Sequence, residues 1–134
     1  MSGAFNTGGI YMEPQEAGSQ LLVDAYGDGG FRLAGKRVDG SVLVSENGFF
    51  PVDVSEVASL TEAHFTALDA EIGKAEILLI GTGEKMSLLP GHLRKRLQAA
   101  GIGFELMDTG AAARTFNVLR MEDRRVAALL IQIP

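Results

Sequence analysis

Cysteine is absent from this 134-residue chain. That excludes a disulfide scaffold, a thiolate nucleophile and Cys-ligated zinc or iron–sulfur clusters. It also fits a reducing compartment, so the expected location is cytoplasmic. Histidine is scarce: there are only His64 and His92. No second His, Asp or Glu stands at metal-ligand spacing from His64, and neither metal nor cofactor is expected. Long apolar runs are missing as well. The longest, 126–131, falls far short of the roughly 20 residues that cross a bilayer, so no transmembrane segment is expected. No charged-then-apolar leader opens the chain, which argues against a secretory signal. Positive charge is in deficit, with 12 Lys and Arg against 17 Asp and Glu and a net charge of -5. Nucleic-acid binding needs a basic footprint, and this balance argues against it.

What the chain does have is organised in two styles. Residues 1–19 carry Gly3, Gly8, Gly9, Pro14 and Gly18 among polar residues, and read as a flexible N-terminal arm. Ile10, Tyr11 and Met12 are able to add a short edge strand there. Residues 20–134 read as one domain. Its first part is an antiparallel β meander punctuated by Gly27-Asp28-Gly29-Gly30, Asp39-Gly40 and Asn47-Gly48, dipeptides that tolerate tight hairpin turns. After Pro51 the period changes. Ser59 and Glu62 match a capping box, and Leu60, Phe65, Leu68 and Ile72 recur at helical spacing.

The remainder alternates strand 76–80, helix 90–100, strand 104–107, helix 110–122 and strand 126–133. Continuous apolar runs at 77–80 and 126–131 indicate strands covered on both faces. The predicted fold is therefore α/β and three-layered: a central mixed sheet with helices, plus the N-terminal antiparallel meander.

Two glycine turns follow buried strands. Gly81-Thr82-Gly83 ends the first, and Asp108-Thr109-Gly110 ends the second. A helix lies between, so the two strands should be parallel and adjacent, with both turns opening at the carboxyl edge where α/β proteins keep their sites. Thr109 reads as the N-cap of the last helix. Gly110 and three alanines then present backbone N–H groups with little bulk at a positive helix end, and Arg114 and Asn117 follow on one face. The candidate pocket is Gly81, Thr82, Gly83, Asp108, Thr109, Gly110, Arg114 and Asn117, with a small anion as its ligand. The competing reading is packing alone, in which the small residues seat the helix on the sheet and Arg114 pairs with Asp108 or Glu84.

Known catalytic patterns do not complete. Met86 stands where a dinucleotide fingerprint needs its third glycine, no Gly-Lys-Ser/Thr ending follows the first turn, and no G-x-S-x-G elbow exists. Two protein-docking candidates remain: the last helix through Arg114, Val118 and Met121, and the basic helix through Arg94, Lys95 and Arg96.

Leu79-Ile80-Gly81-Thr82-Gly83, Leu89-Pro90, Met107-Asp108-Thr109, Ala112, Arg114-Thr115-Phe116-Asn117 and Arg124-Arg125-Val126-Ala127-Ala128-Leu129 together resemble one family. It is the small α/β domain family that includes a mitochondrial respiratory complex I assembly factor and many bacterial and archaeal proteins of unknown function. The resemblance implies a three-layered α/β fold with additional N-terminal β structure. It also implies a non-catalytic role in assembly and no established activity, with a suspected pocket at Gly81, Thr82, Gly83, Asp108, Thr109, Arg114 and Asn117. The resulting expectation is a non-catalytic binding or assembly module. The alternative is an enzyme acting on a small carboxylated or phosphorylated metabolite, with Asp108 as acid or base.

Overall fold

The computed structural model describes residues 5–7, 10–12 and 20–134. The strands are β1 Phe5–Thr7, β2 Ile10–Met12, β3 Val23–Gly27, β4 Gly30–Leu33, β5 Lys36–Asp39, β6 Ser41–Ser45 and β7 Gly48–Val52. A short 3-10 turn, Val57–Ser59, leads into α1 Glu62–Ile72. The α/β half follows as β8 Ile77–Gly81, α2 Gly91–Ala99, β9 Phe104–Met107, α3 Thr109–Met121 and β10 Val126–Leu130.

Seven strands form one mixed sheet in the order β1-β2-β7-β6-β10-β8-β9, and β3-β4-β5 form a second, antiparallel sheet. As expected, β8 and β9 are adjacent and parallel, and β10 is parallel to β8 on its other side. The expected arm over 1–19 lies largely outside the described residues. Within it, Ile10, Tyr11 and Met12 do add a strand, β2, paired with β7 at Tyr11↔Phe49, but β1 pairs on its other side and takes the edge.

Three layers result because the central strands bury both faces. Leu43, Leu78, Ile80, Ala127 and Leu129 point toward α1 and α2, where they join Phe65, Leu68, Ile72, Leu93 and Leu97. Val42, Val44, Leu79, Ala128 and Leu130 point the other way, onto Ala112, Ala113 and Phe116 of α3 and Phe31 and Leu33 of the small sheet. Strand alternation sorts these residues, and apolar partners on both sides explain the uninterrupted apolar runs.

Several local expectations change. The Asp39-Gly40 turn is not a hairpin, because β5 and β6 belong to different sheets. Gly40, at φ +86°, carries the chain between layers, and the Ser41 hydroxyl fixes the crossing by donating to the Val54 carbonyl at 2.6 Å. The N-cap of α1 is Thr61 rather than Ser59, which lies in the preceding 3-10 turn. His64 supplies the reciprocal acceptor, its Nδ1 taking the Thr61 N–H at 2.9 Å, so a histidine does the work expected of Glu62. The last strand stops at Leu130. Gln132 N–H then turns to Ser41 Oγ at 2.9 Å, and the Ile133 carbonyl accepts from Gly29 N–H at 2.7 Å.

Candidate functional site

The eight candidate residues come apart into two groups. Gly81, Thr82, Gly83, Asp108, Thr109 and Gly110 meet at the carboxyl ends of β8 and β9. Arg114 and Asn117 lie further along α3 and face the small sheet.

In the first group the threonines knit the two turns together. Thr109 is fully buried; its hydroxyl donates to the Ile131 carbonyl at 2.7 Å and accepts from Gly83 N–H at 2.9 Å. The Thr109 N–H returns to the Gly83 carbonyl at 2.8 Å. Thr82 is also buried; its hydroxyl donates to the Lys85 carbonyl at 2.9 Å and accepts from Ser87 N–H at 2.9 Å. Both hydroxyls therefore have their donor and an acceptor lone pair occupied within the fold.

Thr109 is not the N-cap of α3. Asp108 is, with extended backbone and Oδ1 accepting from Ala111 N–H at 2.8 Å, while Thr109 opens the helix. An ionised carboxylate one residue earlier complements the helix dipole better than a hydroxyl would. The arrangement also fills part of the anion-ready helix end: the Thr109 and Ala111 N–H groups already have acceptors, and the Ala112 N–H donates to the Asp108 carbonyl at 2.9 Å.

Two glycines here serve close approach. A Cβ on Gly81 would stand 2.8 Å from Thr109 Cα, so the start of α3 sits directly on the end of β8. A Cβ on Gly110 would stand 2.7 Å from the Tyr26 hydroxyl, so this glycine makes room for Tyr26 over the helix start.

The second group docks α3 on β3. Asn117 Oδ1 accepts from Val23 N–H and its Nδ2 donates to the Val23 carbonyl, each at 2.8 Å. The amide thus pairs with a strand residue as a neighbouring strand would. Arg114 pairs with neither Asp108 nor Glu84; its Nη1 donates to the Tyr26 hydroxyl at 2.7 Å. The sequence marks Tyr26 only as a strand aromatic ahead of a glycine turn, with no sign that it meets Arg114. Arg120 went unread. It is 8 % exposed, its Nη1 donates to the Arg124 carbonyl, and its buried Nε has no acceptor among the described residues. A single arginine near a helix end carries no sequence sign of burial.

Beside the interlocked turns is an open depression of about 280 Å³, bordered by Glu56, Thr82, Gly83, Lys85, Ser87 and Gln132. Arg114 and Asn117 do not border it. On the outer side of α3, Val118 and Met121 are 49 % and 61 % exposed, next to the exposed Arg114. On α2, Arg96 is not a free cation: it reaches Glu62 at 2.8 Å and Asp69 at 2.6 Å, clamping α2 to α1. No helix among the described residues is long and apolar enough to cross a membrane.

A mixed sheet sandwiched by helices, with its apparent motif residues bonded to one another, defines a class of small three-layer α/β domains. The chain belongs to the family described as "Protein of unknown function (DUF498/DUF598)", whose model matches residues 23–131. An uncharacterized protein of Rhodobacter capsulatus is 37 % identical over 126 residues, covering 92 % of this chain and 95 % of that one. The human NADH dehydrogenase [ubiquinone] 1 alpha subcomplex assembly factor 3 is 30 % identical over 125 residues, covering 93 % of this chain and 68 % of that protein. A crystal structure described as an outer membrane protein of Bartonella henselae shares the fold with a TM-score of 0.78. It is 40 % identical, and the match covers 87 % of this chain and 98 % of that one.

Proposed function

We propose that this protein is a non-catalytic binding module that holds a protein partner on the outer face of α3. One observation carries the reading. The hydroxyls, carboxylate and amide that a reaction would use at Thr82, Thr109, Asp108 and Asn117 are each bonded inside the fold. On the outer side of α3 the exposed side chains are Val118 and Met121 beside Arg114, which keeps donors beyond its bond to Tyr26: one cation with two apolar groups, the composition of a docking anchor. Similarity to an assembly factor of the respiratory NADH dehydrogenase supports the same role. A small anion has a narrower place in this reading. It would meet the Arg114 guanidinium, whose donors exceed its one bond to Tyr26, and the Gly110 N–H nearby. The cytoplasm is the compartment proposed for it.

The test is affinity capture on the tagged protein, comparing the natural chain with Arg114→Ala and with the Val118→Ser/Met121→Ser double variant. Specific partners should fall about tenfold, as loss of a central anchor predicts, while the urea midpoint stays unchanged for the Val118/Met121 variant and falls for Arg114→Ala only by the worth of one exposed hydrogen bond to Tyr26. An identical set of partners at unchanged yield would sink the reading.

A further inference from the structure

A second surface lies away from α3, on the connection between β8 and α2. Residues 82–90 leave the sheet in a loop whose base is fixed by the Thr82 hydroxyl, bonded to Lys85 and Ser87 backbone. Met86, between Lys85 and Ser87, and Leu88, just after them, are 58 % and 66 % exposed, among the most exposed large apolar side chains described. Leu89, by contrast, is buried in the core under α2. A loop anchored on both sides thus holds two long aliphatic groups in water, with one serine between them.

Along residues 82–100 the charges have one sign in excess, although Glu56 borders the depression beside Glu84 and Lys85. Lys85 precedes Met86, and α2, which starts three residues after Leu88, carries Arg94 and Lys95. None of these three has an ion-pair partner among the described residues, whereas Arg96 on the same helix is matched by Glu62 and Asp69. Glu84 is the lone carboxylate between Thr82 and Ala100. A local basic patch on a chain of net charge -5 needs a reason. An apolar tip beside unpaired cations is the complement of an anionic bilayer surface: aliphatic groups enter the acyl boundary while Lys and Arg remain among the headgroups.

We propose that Met86 and Leu88 form a membrane-docking tip that seats the protein on an anionic lipid surface, with Lys85, Arg94 and Lys95 as its basic collar. The contact is peripheral and reversible, since two side chains bury far less apolar area than a spanning helix.

Vesicle sedimentation of the full chain tests this. Vesicles with about 30 % phosphatidylglycerol in phosphatidylcholine should pull down the protein, and pure phosphatidylcholine should retain much less. Met86→Ser/Leu88→Ser should lower the partition coefficient about tenfold or more, and high salt should weaken binding further. Both sites are exposed, so the variant's unfolding curve should overlay that of the natural chain. Failure to sediment with anionic vesicles would overturn the proposal, as would undiminished binding by the double serine variant. Loss of a protein partner with no vesicle binding would also overturn it, reassigning the tip to a protein. Because α3 is untouched, none of these outcomes bears on capture through Val118 and Met121.

Discussion

At the carboxyl edge of the main sheet, two threonine hydroxyls tie the β8 turn, the start of α3 and the end of β10 into one neutral knot. The amino edge is tied by a charge. Glu71, at the end of α1 and 9 % exposed, accepts from Ser45 Oγ at 2.8 Å and from Asn47 Nδ2 at 2.7 Å, joining α1 to the β6–β7 hairpin. Lys74 adds a longer contact at 3.4 Å. Both knots close a sheet edge with polar side chains that would pass for site residues in a sequence. They differ in redundancy and in charge. Each bond of Thr109 has a single donor and a single acceptor, whereas the Glu71 carboxylate has three partners. The neutral knot has no ionisable member to titrate; the charged one does.

The largest effect should come from breaking the neutral knot. Thr109→Val keeps the volume but strands the Gly83 N–H and the Ile131 carbonyl. The cost should be about 2–3 kcal/mol, because the buried Ile131 carbonyl and the half-buried Gly83 N–H both lose this partner. A urea or thermal melt reads this directly. An unchanged midpoint would mean that the hydroxyl is free for a ligand, and the contrast between the two edges would fail.

The neutral knot also marks how far the sequence could be read. Strands β8 and β10 were legible because coverage on both faces leaves a continuous apolar run, and the parallel pairing of β8 with the edge strand β9 followed from the helix between them. The convergence of Thr82 and Thr109 at one edge followed from that pairing. What each hydroxyl bonds did not follow, because the partners are backbone atoms of Ile131 and Lys85, and backbone carries no residue signature. The same gap hid the division of the meander. Asp39-Gly40 has the chemistry of a hairpin, but β6 pairs with β7 and β10 in the other sheet, and the Ser41 bonds to Val54 and Gln132 fix the crossing. The Thr61–His64 cap was hidden because an imidazole accepting a backbone proton is rarer than the Glu it replaces. Candidate residues Arg114 and Asn117 were correctly placed on one helix but not in the crevice, since spacing along a helix does not say which neighbouring sheet that face meets.

The middle effect tests charge. Burial on its own would raise the Glu71 pKa, but hydrogen bonds from Asn47 and Ser45 and the nearby Lys74 ammonium outweigh it and hold the carboxyl below its usual 4.5. A carboxyl depressed in the folded state binds its proton more tightly when unfolded. Its stabilisation is therefore present above the unfolded pKa and is lost as pH falls through the folded one. Glu71→Gln should cost about 1–2 kcal/mol at neutral pH, because charge-assisted bonds are replaced by weaker ones. That gap should narrow steadily on acidification below 4.5, whereas the gap for Thr109→Val should stay constant over the same range. Parallel pH profiles for the two variants would remove the distinction between the edges.

The smallest effect tests redundancy. Ser45→Ala removes one donor from Glu71 and the hydroxyl that accepts the Asn47 N–H at 3.1 Å, yet Asn47 Nδ2 and Lys74 still reach the carboxylate. A shared acceptor that keeps two of three partners is not stranded, so the cost should be about 1 kcal/mol, below that of Thr109→Val. With one stabilising bond gone, the folded pKa of Glu71 should move back toward its ordinary value, so the acid loss still begins near the unfolded pKa but is smaller and is complete at higher pH. Urea midpoints across the acid range measure both quantities together. If Ser45→Ala matched Thr109→Val in cost, the three partners would be acting as one cooperative network, and partner number would not explain why one edge tolerates a lost hydroxyl and the other does not.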